Sequence, residues 1–143
     1  MKAMMRRRTF LILISILGII CVWTLSRALF SNLTANRSYD LQLGWTSNHE
    51  LPKINDSSDR FINHAPLTAI AIYPDQKEGL LQAQLYVTKR GESEILQQES
   101  MRETEDLAAF EMRLHNLEWE KGDYTLHFKR GLDIQKSLDF TLR

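Results

Sequence analysis

A run of 17 uncharged residues, Phe10–Ser26, constrains the chain more than any other feature. At about 1.5 Å per residue, a helix over this run with Thr9 included spans roughly 27 Å, close to the hydrocarbon thickness of a bilayer. We therefore predict a transmembrane signal-anchor helix at 9–29, preceded by a basic stub at 1–8. The stub contains Arg6, Arg7 and Arg8, and no acidic residue occurs before Asp40. The positive-inside rule accordingly places the stub in the cytoplasm and the rest of the chain outside.

A cleaved secretory signal has the same outline, since it also places an apolar segment after basic residues. Two observations favour the anchor. The run exceeds the usual length of about 7–15 residues for such a segment, and its best cleavage motif, Ser26-Arg27-Ala28, is a mediocre match. The short stub and compact exterior part suggest a bacterial inner-membrane protein with a periplasmic C-terminal domain. The alternative is a cleaved, soluble periplasmic protein.

Charge and cysteine content bound the exterior part. Five of the 18 basic residues and none of the 18 acidic ones lie in 1–30, which leaves 31–143 with a net charge of −5. An acidic domain argues against nucleic acid as a partner, because phosphate binding needs a basic patch. The single cysteine, Cys21, lies inside the apolar run, so the exterior part has no internal disulfide.

Period-two alternation of apolar residues predicts β-strands along most of the exterior part. The stretch 30–65 is interpreted as a juxtamembrane linker with a candidate first strand at 39–45, where Tyr39, Leu41, Leu43 and Trp45 alternate with other residues. Further strands are predicted at 67–73, 80–90, 93–98, 122–129 and 138–142. Turn signals such as Gly91 separate them.

The stretch 100–117 fits two interpretations. Leu107, Phe110, Leu114 and Leu117 have the spacing of an amphipathic helix. Phe110 and Leu114 also alternate with polar residues on either side of Met112, as they would in a strand. The strands around this stretch favour the second interpretation, and the first stays open.

Short strands separated by turn signals predict a mainly β fold, an antiparallel β-sandwich behind one N-terminal transmembrane helix. The sequence Phe110–Phe128, followed by Leu138–Leu142, resembles the closing strands of bacterial immunoglobulin-like and fibronectin-type modules. In such modules a Gly-x-Tyr step opens a late strand and its Tyr packs at the sandwich corner. The resemblance implies an Ig-like sandwich at 66–143, in which the structural positions are Gly122, Tyr124, Phe128 and Phe140.

Catalytic and metal-binding motifs are not recognisable in the sequence. None of the four histidines has a metal-ligand spacing, although His115 and His127 are expected on outward faces of neighbouring strands. Glu103 and Asp106 are interpreted as part of a solvated edge and not as an acid–base pair. We therefore expect no cofactor, no metal and no enzymatic activity. A hydrolase with an unrecognised site is the remaining enzymatic alternative.

Protein interaction is the function that these observations favour. Large aromatic residues serve either the core or a binding surface, so Trp45, Trp119 and Tyr86 are the candidate interaction residues. Sheet edges offer a second route, by addition of a partner strand. The sequence thus predicts a single-pass inner-membrane protein whose periplasmic sandwich binds another envelope protein. The alternative is a cleaved protein that binds a small ligand or metal.

Overall fold

The computed structural model describes residues 38–45, 47–48, 53–76 and 78–143. This part of the chain is mainly β, which confirms the predicted fold class at that level. Its strands are β1 (Asp40–Gly44), β2 (Ser47–Asn48), β3 (Lys53–Ile54), β4 (Arg60–Phe61), β5 (Thr68–Ile72), β6 (Gln82–Lys89), β7 (Ile95–Arg102), β8 (Ala109–Arg113), β9 (Gly122–Arg130) and β10 (Asp133–Leu142). A short 3₁₀ helix, Asn116–Glu118, lies between β8 and β9.

Two sheets share the core, as the layers of a sandwich do. The smaller sheet has the order β1-β5-β8, and the larger has the order β4-β10-β9-β6-β7. All neighbouring strands in them are antiparallel except β4, which pairs in parallel with the end of β10. β2 and β3 form a separate two-stranded ribbon.

Alternating apolar residues build the core, as the period-two pattern predicts. In β9, Tyr124, Leu126 and Phe128 are buried while the residues between them are partly exposed. Ala69, Ile70 and Ala71 of β5 are all fully buried, because this strand is covered on both faces. Ala69, Ala71 and the three β9 residues belong to one core cluster, which also contains Leu41, Leu43, Phe61, Leu67, Tyr73, Ala83, Leu85, Val87, Phe110, Met112, Leu114, Phe140 and Leu142.

The stretch 100–117, which fits both a helix and a strand by its sequence, contains strands in the structure. β7 continues to Arg102, and β8 occupies Ala109–Arg113. Phe110 and Met112 of β8 are buried and the residues on either side are less so, which is the strand alternation. Leu117, a member of the helical pattern, is half exposed at 52% on the 3₁₀ helix.

The segment interpreted as a linker, 30–65, contributes to the core where it is described. β1 pairs with β5 along its whole length, and β4 places Phe61 against Phe140 with 6.3 Å between ring centroids. Gly44 ends β1 where the chain of residues 54–56 passes close to its backbone.

The predicted anchor at 9–29 and the stub with Arg6, Arg7 and Arg8 lie outside the described residues. Within the residues that are described, no helix is long and apolar enough to cross a membrane.

Candidate interaction surface

Among the described residues, none pairs with the outer edge of β7. β7 has eight residues and stands last in the larger sheet, where it pairs with β6 alone. In the described part of the chain, no backbone hydrogen bond joins this outer edge to another segment. A row of unpaired N–H and C=O groups is a template for pairing with another strand.

The other sheet edges are shorter or partly covered. At β1 the Leu43 carbonyl accepts a hydrogen bond from the Ser58 N–H at 3.4 Å. β4 has only two residues. The outer edge of β10 contains a register irregularity next to Lys136, whose ammonium lies 3.7 Å from the Asp40 carboxylate of β1. Short edges, irregular pairing and lysine side chains all discourage strand addition.

The edge of β8 is capped by one side chain of β7. Gln97 Nε2 donates a hydrogen bond to the Arg113 carbonyl, and the His115 N–H donates one to Gln97 Oε1, both at 2.8 Å. The amide of Gln97 thus offers β8 one donor and one acceptor, as the backbone of a neighbouring strand would. This contact joins the two sheets at the side where β7 and β8 end them.

The side chains of β7 form two rows on its regular part, 97–102. Gln98, Ser100 and Arg102 stand opposite the outward residues of β6, so they lie on the outer face of the larger sheet. Glu99 and Met101 stand opposite Leu85 and Ala83 and point towards the smaller sheet. The register shifts at the start of β7, between Val87 and Thr88 of β6. The strand contains neither lysine nor proline, the residues that commonly protect an edge.

Tyr86 and His127 form a stacked pair on the outer face of the larger sheet. Their ring centroids are 4.6 Å apart with an interplanar angle of 21°. His127 Nε2 lies 3.2 Å from Thr88 Oγ1, and His127 Nδ1 lies 2.8 Å from Ser137 Oγ. Each ring nitrogen therefore has a hydroxyl group as its hydrogen-bond partner. Burial lowers the pKa of His127, and the Asp139 carboxylate opposes this effect only in part. Tyr86 therefore lies near the β7 edge in a partly buried stack.

A buried ion pair connects the loops at one end of the sandwich. Arg130 Nε and Nη2 donate to the two carboxylate oxygens of Glu103, at 2.5 and 2.7 Å. The Tyr73 hydroxyl and the Leu81 N–H donate to the same carboxylate, at 2.9 and 3.0 Å. Glu103 is only 2% exposed, so its interpretation as part of a solvated edge is wrong. Burial alone would raise the pKa of Glu103, but these hydrogen bonds outweigh it and hold the pKa below its ordinary value.

Arg130 also holds the neighbouring chain segments. Its Nη2 donates to the carbonyls of Glu78 and Gly79, each at 3.2 Å, and its guanidinium lies 5.0 Å from the centroid of the Tyr39 ring. The guanidinium of Arg130 therefore connects three parts of the chain: the loop 73–81, the loop 103–108 and the start of β1. The network satisfies its buried charges, and its role is structural.

A cleft of about 560 Å³ lies beside this network, between the loops 73–81 and 103–108. Its lining combines apolar and acidic residues: Tyr73, Pro74, Asp75, Gln76, Gly79, Leu80, Glu105, Asp106, Leu107 and Ala108. The volume is in the range of small-molecule sites, roughly 300–1,000 Å³. Lys77, in the same loop, lies outside the described residues.

The two tryptophans predicted as interaction residues are each partly buried and packed on the core. Trp45 contacts Phe61 edge-to-face at 5.1 Å and tilts against His64 at 5.3 Å. Its Nε1 is buried without a hydrogen-bond partner among the described atoms. Trp119 follows the 3₁₀ helix and lies 5.4 Å from Tyr124. Neither tryptophan lies on β7, and the structure does not bring them together with Tyr86 into one surface.

The four predicted structural positions lie in β9 and β10. Gly122 opens β9, and Tyr124 and Phe128 are buried in it, while Phe140 is buried in β10. Tyr124 stacks on Phe140 at 5.6 Å, and its hydroxyl donates to the Glu120 carbonyl at 2.5 Å. This bond fixes the turn that leads into β9.

The predicted histidine positions are not brought together. His127 lies on the outer face of β9, whereas His115 is exposed after β8, in a segment that belongs to the smaller sheet. Among the described residues, no group of three His, Cys, Asp or Glu side chains has the arrangement of a metal site.

No protein-family model matches the chain, and no curated protein is significantly similar to it. The proposed function therefore rests on the geometry of the β7 edge, and a second candidate function rests on the cleft. Sequence patterns missed Gln97 and Arg130, since a polar residue in an alternating strand gives no sign of its partner. The position of Arg130 in the inward row of β9, after Tyr124, Leu126 and Phe128, was the one available signal.

Proposed function

We propose that this chain is a single-pass inner-membrane protein whose periplasmic β-sandwich binds another envelope protein through the outer edge of β7. The observation that carries the proposal is β7, an eight-residue edge strand that contains no lysine or proline and whose outer edge has no partner in the described structure. The other edges of the two sheets are partly covered, capped or short, or, at β10, irregular in register next to a lysine. Recognition by strand addition uses backbone hydrogen bonds for affinity and alternate side-chain positions for specificity.

The proposal includes an Ig-like or fibronectin-type fold for the sandwich. Two observations support it. The orders β1-β5-β8 and β10-β9-β6-β7 divide seven strands between two sheets, and β4 pairs in parallel with β10. The hydroxyl of Tyr124 bonds to the backbone four residues upstream at the start of a late strand, as in the tyrosine corner of these modules.

Membrane attachment rests on the sequence. The uncharged run Phe10–Ser26 and the three preceding arginines have the pattern of a signal anchor. An anchor confines the sandwich to the region near the membrane and raises its effective concentration for partners in the same membrane. A weak edge contact then suffices for association.

Site-specific photo-crosslinking tests the interaction site. A photoreactive amino acid at Gln98, on the outer face of β7, is expected to capture a protein in intact cells. Ser137, exposed on the same sheet but in β10, is the matched control position and should capture little. A Ser100→Lys background should weaken the product at Gln98, because an edge lysine opposes strand addition. No product at Gln98, or equal products at both positions, contradicts the proposed site.

Extraction of membranes at alkaline pH tests the anchor separately. A full-length chain that stays in the pellet supports the single-pass interpretation. Release of a shortened chain into the supernatant would instead support the cleaved, soluble alternative. N-terminal sequencing of the recovered chain locates any cut.

The cleft between the loops 73–81 and 103–108 favours a second candidate function, binding of a small ligand. Its volume lies in the range of ligand sites, and its lining combines apolar side chains with the carboxylates of Asp75, Glu105 and Asp106. A rise in melting temperature with a defined small molecule, lost when Leu107→Arg places a long charged side chain in the cleft, would support this candidate. The absence of any such shift across a metabolite set would count against it.

A further inference from the structure

We infer that the strand occupying the β7 edge is β7 of a second copy of this chain. The two strands run antiparallel, and the two Ser100 residues lie directly opposite each other across a two-fold axis. The inference deepens the proposed function, since it rests on the β7 edge as the binding site and names the partner. In this arrangement residues 98–102 of both copies pair, and the two larger sheets become one continuous sheet.

The two-fold symmetry restricts the registers that β7 can adopt. If the axis is perpendicular to the sheet, the outer faces of both copies stay on one side, and opposite residues must belong to the same row. The axis then passes midway between the two copies of one β7 residue, and that residue is the centre of the pairing. Gln98, Glu99 and Ser100 are the central candidates within the regular part of the strand.

Charge and regularity distinguish these three centres. A centre at Glu99 places two carboxylates directly opposite each other, which is destabilising. A centre at Gln98 extends the pairing into Leu96 and Ile95, where the register of β7 against β6 shifts. A centre at Ser100 uses only the regular residues 98–102 and places no like charges opposite each other.

The Ser100 register also gives each pair a compatible chemistry. The two Ser100 hydroxyls face each other, and cross-strand hydroxyl pairs contribute to sheet pairing. Arg102 stands opposite Gln98 of the second copy, whose side-chain oxygen accepts from Gln84 at 2.8 Å and has a second lone pair for the guanidinium. On the inner face, Glu99 stands opposite Met101 of the second copy. Met101 carries no charge, so no pair in this register sets like charges against each other.

The size of the contact indicates where pairing takes place. Five residue pairs along one edge bury less area than the roughly 1,200–2,000 Å² of a standard stable interface. Dilute chains in solution should therefore associate weakly. Two copies anchored in one membrane are at a much higher effective concentration, which favours the same contact.

Cysteine crosslinking in membranes tests the partner and the register together. The full-length chain with Cys21→Ser carries no other cysteine, so an added one reports a single position. Ser100→Cys is expected to give a disulfide-linked dimer on mild oxidation, because Cα atoms of directly opposite residues lie about 4.5–5.5 Å apart. Gln98→Cys alone should give little, since in this register the two copies of that residue are four positions apart, about 13 Å. Combining Gln98→Cys with Arg102→Cys should restore the dimer.

The outcomes separate this inference from the proposed function. A dimer from Gln98→Cys alone, or none from Ser100→Cys, overturns the register. If Ser137→Cys gives as much dimer as Ser100→Cys, random collision explains the product and the inference fails. Photo-crosslinking at Gln98 to a different protein, with no dimer, overturns the second copy as partner but leaves β7 as the binding edge. No product of either kind contradicts the binding edge itself.

Discussion

The Glu103–Arg130 pair shows how much depends on single side chains in this sandwich. Both residues are buried, and each satisfies the charge of the other through two hydrogen bonds. We predict that Glu103→Gln destabilises fragment 36–143, which contains the whole described core, by about 3–5 kcal/mol, because Arg130 keeps a buried charge without its counter-ion. Urea unfolding measures this loss. The double variant Glu103→Gln/Arg130→Met should lose less than the sum of the single variants, whereas additive losses would contradict direct coupling.

Gly44 is a second position that the fold constrains, because the space beside it leaves no room for a side chain. A Cβ at this position would lie 2.3 Å from Ile54 Cγ2 and 2.6 Å from Asp56 Oδ1. We predict that Gly44→Ala destabilises the fragment by about 1–3 kcal/mol, the usual cost of overpacking. Chemical unfolding checks the value. The double variant Gly44→Ala/Ile54→Ala should lose less than the sum of the two single losses, because the shorter side chain removes one clash. A purely additive double variant would show that the contact is not the cause.

These two positions also show where sequence patterns fail. The alternation in β9 predicted the burial of Tyr124 and Phe128 correctly, because apolar side chains need only a covered face. It gives no partner for Arg130, and it predicts a surface position for the charged residues around Glu103. A buried ion pair depends on two residues far apart in sequence that only the folded chain brings together. The steric need for glycine at Gly44 likewise depends on a loop that passes it in space.

Among the strands, β7 illustrates the difference between predicting an element and predicting its role. The sequence predicted a weak strand at 93–98, since Ile95 and Leu96 are its only strongly apolar residues, and β7 extends further, to Arg102. Its polar composition fits an edge position, where neither face is deeply buried. Which edge is open depends on sheet order, and sheet order depends on contacts between distant segments. The candidate site therefore required the structure.

The contact of Gln97 with β8 supports a prediction for this pair of edge strands. We expect Gln97→Ala to remove two hydrogen bonds, each worth about 0.5–1.5 kcal/mol net, and to expose the edge of β8. Hydrogen exchange of the His115 amide should then accelerate, because its acceptor is Gln97 Oε1. Gln98→Ala is the matched control, since Gln98 bonds only to the side chain of Gln84 on the outer face. Equal acceleration in both variants would contradict a specific cap.

For the folded unit as a whole, the shifted pKa values of His127, Glu103 and Tyr73 predict how stability depends on pH. Burial lowers the pKa of His127 below 6.5, so the stability it contributes is complete above about pH 6.5 and is lost as pH falls towards the folded pKa. The net pKa of Glu103 is also lowered, so its contribution is complete above about pH 4.5 and is lost in stronger acid. Burial and the hydrogen bond to Glu103 raise the pKa of Tyr73, and its contribution is present below about pH 10 and lost above.

The expected profile is therefore a plateau of stability from about pH 6.5 to 10, with a first decline just below pH 6.5 and a second below about pH 4.5. Urea midpoints of fragment 36–143 measured across pH test this shape. His127→Asn removes the titrating ring from its stack on Tyr86, so it should abolish the first decline and leave the second. Gln84→Ala, a change without a titrating group on the outer face of the same sheet, should keep both. A first decline that persists in His127→Asn would assign it to another group and would contradict the lowered pKa of His127 as its cause.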